Sequence, residues 1–576
     1  MAQLALTPEI GRSRRRLAPG TMQATLVGAL VIVLAFLVLY PILAVVINSL
    51  LPSRVFQSQG LSTWRSAFAD TDVVRAIFNT LKVQLGTQGI SLPVAIPIAW
   101  LLARTDLPFA RWLEFGFWIL FFLPALGVTQ GWLLLFDPNY GLANKWLMDA
   151  GIVQNPPFNL YSFWGIVFAH LTTTALSVKV MLLTPAFRNL DGSIEEAAQI
   201  AGASTLKTLI RIVVPLLTPA IIVVLLMSLI YGLGAFEIEL FLGVPFNFYV
   251  YSTQIYQLIS HDPPAYAEGG VLASSVLLAM LPLIVLQRWA ATRRSYAVIS
   301  GKYQSRIVHL HAWRWPAFLV VATIVLVMSI LPLGLLLVGS IMKLFGFFGL
   351  AEMWTLDHWR DAFADVTFTQ AFWNMLQLGA GTALAAASVY VVVAYCAVRL
   401  KTRWQATIDI LSWLPISIPG IVLGFGYLFM VIQVPVFSPI YGTLWVMILV
   451  SFLSAMTLGV QVMKVHMLQL GSEIEEAARL AGASWFAAFR RVILPLTAPA
   501  ISVVAVLVFA ATIRQIGLVI LLSTGETRPL AVLQLDFLAD GRLGPAAVIG
   551  VIIVLISLAA AALVRIISVR FGVRAS

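Results

Sequence analysis

Cysteine is almost absent: Cys396 is the one thiol in 576 residues. An intramolecular disulfide is excluded, and no Cys/His cluster has zinc-ligand spacing. Charge is scarce too, at 11% of residues against 60% hydrophobic. A soluble globule is excluded by that balance, and long apolar runs with few charges mark membrane spans. No GxxxxGK[ST] occurs, so the chain has no P-loop for ATP phosphates, and HExxH is missing as well. The chain is therefore read as non-catalytic, with no cofactor of its own. Its 36 basic residues outnumber 25 acidic ones. The excess collects at the ends of apolar runs, so it is no sign of nucleic-acid binding.

What is present is a duplication. Ile194-Glu195-Glu196-Ala197-Ala198-Gln199-Ile200-Ala201-Gly202-Ala203-Ser204 recurs as Ile474-Glu475-Glu476-Ala477-Ala478-Arg479-Leu480-Ala481-Gly482-Ala483-Ser484. Arg211, Pro215 and Pro219 recur at the same interval of 280 as Arg491, Pro495 and Pro499. A fixed interval without gaps marks a tandem repeat. Other echoes are Trp64 to Asp70 with Trp359 to Asp365, Asn79 with Asn374, and Leu123-Pro124 with Leu414-Pro415.

Each copy is a small, polar interruption between apolar runs. Ser193-x-x-Glu196 and Ser472-x-x-Glu475 fit capping boxes. The alanines favour helix, and Gly202 and Gly482 offer a break. Pro215 and Pro495 suit the first turn of a following hydrophobic helix. Each copy thus reads as helix, break, helix, then a new span.

Twelve spans are predicted, six per half. They lie near 25–50, 76–103, 115–136, 162–186, 216–241 and 270–287, then 315–341, 372–398, 406–432, 441–464, 497–522 and 545–567. The first run is too long for a signal-peptide core and lacks a small-residue cleavage site, so it reads as a retained span. Basic residues crowd alternate connections: Arg12 to Arg16, Arg104 and Arg111, Arg188 to Arg211, Arg288 to Arg314, Arg399 to Arg403, Arg490 and Arg491, and Arg565 to Arg574. The positive-inside rule makes these cytoplasmic, with both termini and both repeated loops inside. Six spans per repeat give parallel halves. The expected division is a basic tail at 1–22, a first half at 23–290, a solvated linker at 291–313 and a second half at 314–576. The largest outer connection, near 137–161, carries turn signals and is too small for a receptor domain.

The repeated stretch resembles the EAA loop of binding-protein-dependent ABC importer permeases. Glu196, Ala197, Ala198, Gly202, Ile212, Val214 and Pro215 supply its pattern once. Glu476, Ala477, Ala478, Gly482, Val492, Leu494 and Pro495 supply it again, with Val214 and Val492 departing conservatively. The resemblance implies an all-α membrane protein with the type I ABC importer permease fold. It implies a bacterial inner-membrane location, two cytoplasmic ATPase subunits that bind ATP and magnesium, and a periplasmic substrate-binding protein. In that family the loop is the helix that seats in the ATPase, so Glu195, Glu196, Glu475 and Glu476 with their alanines, glycines and prolines become coupling residues.

Two halves in one chain resemble the ferric-iron importer group. Thiamine, 2-aminoethylphosphonate and polyamine importers share much of the pattern. An ion-coupled secondary carrier with parallel halves is the alternative from another class. Ionisable residues within spans are pathway candidates: Glu237, Arg514 and His170, with Glu239 beside them. Lys179, in the fourth span, is a further candidate, with snorkelling toward the inner surface as the plainer alternative. The Pro415–Gly420 run and Gly424–Gly426 are expected to bend the ninth span.

Overall fold

The computed structural model describes residues 21–293, 307–399 and 404–571. The predicted basic tail (save its last two residues), most of the linker and Lys401 and Arg403 lie outside them. Ten helices are long and apolar enough to cross a membrane, and two bent pairs bring the number to twelve among the described residues. Large apolar side chains such as Ile32, Leu85 and Val569 stay exposed on these helices, as lipid-facing residues do.

The third and ninth spans are broken. Ala110–Phe122 meets Ala125–Phe136 at 100°, and Gln405–Ser417 meets Gly420–Gln433 at 111°. The expected bend in the ninth span is present. Its sharpest point, however, is at Pro419, which precedes the second helix as Pro124 does in the third span. Pro124 therefore corresponds to Pro419 rather than Pro415, in the same interval of 295 that separates Asn79 from Asn374. Proline cannot extend the hydrogen-bond ladder, so the chain turns there.

The first span of each half crosses to the other half. Thr21–Leu50 packs on Gly420–Gln433, and Arg314–Ser340 packs on Ala125–Phe136. Glycine permits both crossings. A Cβ on Gly131 would overlap the Pro332 carbonyl oxygen, and one on Gly426 would lie 2.9 Å from that of Pro41. The repeat also reproduces polar ties. Trp64 Nε1 donates to Ser49 O, and Trp359 Nε1 to Ser340 Oγ. Asn79 Nδ2 donates to Tyr249 O and Asn374 Nδ2 to Arg528 O, each pinning the segment before a short helix.

The ends of two spans change. The fifth ends at Leu233 and the eleventh at Thr512, so Glu237, Glu239 and Arg514 lie beyond these spans rather than within them. Residues 307–310 of the linker pair with 104–106, while Ile307 and His309 stay exposed. Val308 N donates to Arg104 O, Asp106 N to Val308 O, and Leu310 N to the Asp106 carboxylate.

Candidate functional site

Each repeated loop lies between two spans, the first between Phe163–Arg188 and Thr205–Leu233 and the second between Leu444–Gln469 and Trp485–Thr512. Gly192–Ile200 and Glu473–Leu480 form the short helices. Neither predicted capping box forms. Asp191 caps the first helix, its side chain accepting from Ser193 N, and Ser472 makes no side-chain cap. That amide holds the Asp191 carboxyl below its ordinary value. The hydroxyl caps sit later, where Ser204 accepts from Lys207 N and Ser484 from Ala487 N. The identical Ser204 and Ser484 of the repeat were the available signal.

Gly202 and Gly482 adopt φ of +86° and +90°. Only a residue tolerant of the left-handed region turns the chain so tightly here. The next helical turn does not stop before Pro215 or Pro495. Instead a π turn, Leu209–Val213 or Phe489–Ile493, joins it to the following span. The short helix is therefore continuous with the following span rather than separate from it, although both prolines do sit in the first turn after the π segment.

The two acidic residues of each motif divide their roles. Glu195 and Glu475 are buried, at 2% and 9% exposure. Glu196 and Glu476 are exposed, as are Ala197 and Ala477. Ala198 is buried and Ala478 half-buried. Glu195 Oε1 lies 3.2 Å from Arg104 Nη2. Neither atom has hydrogen-bond geometry there, so the contact is electrostatic. Glu475 Oε1 instead accepts from Tyr395 Oη at 2.7 Å, and that hydroxyl accepts from Trp485 Nε1. Arg104 and Arg399 are themselves equivalent. Arg104 donates to Leu190 O and Arg399 to Leu470 O, closing the end of the preceding span. Each loop is thus braced by its own half, by a guanidinium in one and a phenol in the other. Sequence reasoning missed Arg104, Tyr395 and Arg399 as braces, because they lie far from the loops along the chain.

The outward face is apolar at its tip. Ile200 is 88% exposed and Leu480 89%, with Leu206 and Phe486 also exposed. Apolar residues presented in pairs on a rigid, braced element suit a protein contact.

The pathway candidates separate into two groups. Glu237 Oε1 accepts from Ile516 N at 3.1 Å, tying the first half to the second. Arg514 donates to Phe121 O and Leu123 O, at the break of the third span, and covers the Phe121 ring. A guanidinium at a broken helix end satisfies carbonyls that have lost their ladder partners. His170 pairs with Glu239, at 2.6 Å between Nε2 and Oε1. Lys179 does not snorkel. It is fully buried, its Nζ donating to Ala175 O at 2.9 Å. Among the described residues no three His, Cys, Asp or Glu side chains group as a metal site.

Residues 391–573 match the family described as "Binding-protein-dependent transport system inner membrane component". The chain is 28% identical over 413 residues to the "Ferric transport system permease protein FbpB" of Actinobacillus pleuropneumoniae, covering 69% of this chain and 58% of that protein. It is 28% identical over 392 residues to the "Putative ferric transport system permease protein FbpB 1" of Haemophilus influenzae, covering 66% and 60%. The match to the "Maltose/maltodextrin transport system permease protein MalG" of Vibrio parahaemolyticus is 25% over 254 residues, covering 41% and 83%. Matched segments thus span about six-tenths of the length of the two ferric relatives. Residues 391–573 of this multi-pass chain thus resemble a binding-protein-dependent inner-membrane transport component, and about two thirds of the chain is similar to permeases of ferric transport systems.

Proposed function

We propose that this protein is the membrane permease of an ATP-driven importer of the bacterial inner membrane. Separate ATPase subunits drive it, and a periplasmic binding protein supplies its substrate. The carrying observation is the duplicated, braced loop with Ile200 and Leu480 almost fully exposed at its tip. In this reading both loops and both termini face the cytoplasm, and each tip seats in one ATPase subunit. Glu195 and Glu475 keep the loop rigid on its own half. Glu196 and Glu476, on the open side, meet the ATPase. ATPase closure then moves the halves against each other about the crossed first and seventh spans. Ferric iron is the proposed cargo, supported by the resemblance to ferric permeases.

The test is purification of tagged protein from its native membrane after mild crosslinking, beside the Ile200→Asp/Leu480→Asp variant. An ATPase should accompany the wild type and be lost from the variant, and a co-purified binding protein should carry iron. An organic ligand on that binding protein would overturn the cargo alone. A wild type without any ATPase, or a variant that retains it, would overturn the importer reading.

A further inference from the structure

Among the described residues, the buried pair His170–Glu239 of the first half has no ionisable counterpart at the equivalent positions of the second. The His170 and Glu239 side chains are 12% and 2% exposed, and Glu239 Oε2 is buried with no hydrogen-bond partner among the described residues. Each residue adjoins a π turn. Leu171–Ala175 follows His170, and Glu239 opens Glu239–Gly243. A π turn accommodates one extra residue in a helix and redirects the side chains around it.

The repeat exposes that extra residue. The hydroxyl caps Ser162 and Ser204 are 42 positions apart, while Thr443 and Ser484 are 41 apart. The tenth span, Leu444–Gln469, is α-helical throughout. Counted from the caps, His170 corresponds to Ser451. In the interval of 280, Glu239 corresponds to Val519, which is fully buried. The same fold therefore closes over a serine and a valine. A buried charged pair is poor support for stability, because desolvation offsets its attraction. An ionisable pair at this depth, on an inserted turn, in one half alone, calls for another role.

Its position supplies one. Glu239 lies two residues beyond Glu237, whose carboxylate accepts from Ile516 N in the second half. The segment from Gly234 to Gly243 is thus tied at one point to its own fourth span and at another to the opposite half. We propose that His170 and Glu239 are positioning residues, which hold this segment so that Glu237 can latch the two halves during each transport cycle. The inference rests on the transporter reading above.

Two double variants test it. His170→Ser/Glu239→Val installs the residues of the second half and leaves no unpaired buried charge. His170→Gln/Glu239→Gln keeps a link between two amides. Reconstituted with its ATPase and binding protein, the first should import about tenfold less substrate per ATP, within the usual range of coupling between sites. The second should recover most of that loss. Normal coupling in the Ser/Val variant, or equal loss in both, would overturn the proposal.

A separate measurement does not require transport. In a Glu237→Cys/Ile516→Cys variant the two thiols should crosslink in membranes when His170 and Glu239 are intact, and much less in the Ser/Val background. Unchanged crosslinking would overturn the positioning role, whereas an absence of ATP-dependent uptake by the wild type, which keeps Glu237, would overturn the transporter reading instead.

Discussion

The Tyr427 hydroxyl donates to the Leu37 carbonyl at 2.5 Å, across the two halves. Leu37 lies four residues before Pro41, whose missing N–H leaves that carbonyl without its helical donor. A tyrosine from the ninth span thus completes the first span. Tyr427→Phe should destabilise the protein by about 1–3 kcal/mol, the cost of an orphaned buried acceptor. Pro41→Ala restores the helical N–H, so Tyr427→Phe should cost much less in that background. Thermal unfolding of the four proteins in one detergent gives the cycle. Additive losses would show that the tyrosine does not serve the carbonyl freed by Pro41.

The crossing that this tyrosine ties and its counterpart in the other half differ in tightness. Gly131 meets Pro332 more closely than Gly426 meets Pro41, where a Cβ would stand 2.9 Å from the carbonyl oxygen. Overpacking of this kind costs about 1–3 kcal/mol, and more where backbone rather than a side chain must move. Gly131→Ala should therefore lower the melting temperature more than Gly426→Ala. The reverse order would show that the first crossing has slack the second lacks.

The architecture was legible because the chain says it twice. The interval of 280 located both loops, and apolar length located every span from Thr21 to Phe571. The bend falls within the expected Pro415–Gly420 run, but the sequence pairs Pro124 with Pro415 rather than Pro419, because two prolines four residues apart look alike until the packing chooses between them. The braces were illegible for a different reason. Arg104 and Glu195 are 91 positions apart, and Tyr395 and Glu475 are 80 apart, distances that no local pattern reports. Ser193 and Ser472 fitted a capping pattern, yet Asp191 takes that role in one copy and no side chain does in the other. Local chemistry alone could not rank those competing caps.

The different braces of the two loops make them unequally sensitive. Glu195→Ala leaves the Arg104 guanidinium, 1% exposed, without its carboxylate. Breaking one partner of a buried ion pair costs about 3–5 kcal/mol. Tyr395→Phe removes the hydrogen bond to the Glu475 carboxyl and the one accepted from Trp485 Nε1, a loss of about 1–3 kcal/mol for the buried group left unpaired. The first loop should therefore loosen more than the second, read as the gain in amide exchange over 192–200 in Glu195→Ala against 473–480 in Tyr395→Phe. Equal responses would place the support for both loops elsewhere.

The clip between 104–106 and 307–310 sets a pH expectation. The Leu310 amide holds the Asp106 carboxyl below its ordinary value of 3.8, opposed by burial and helped by His309 and Arg314. The folded form therefore favours the carboxylate. Its contribution is complete above the ordinary value and is lost only as pH falls through the lowered one. Protection of the Leu310 amide, corrected for intrinsic exchange, should stay constant between about pH 7 and pH 5. Asp106→Asn should weaken that protection at neutral pH, since an amide oxygen is a poorer acceptor than a carboxylate. Protection that already falls between pH 7 and pH 5 in the wild type would show that the Asp106 carboxylate does not set it.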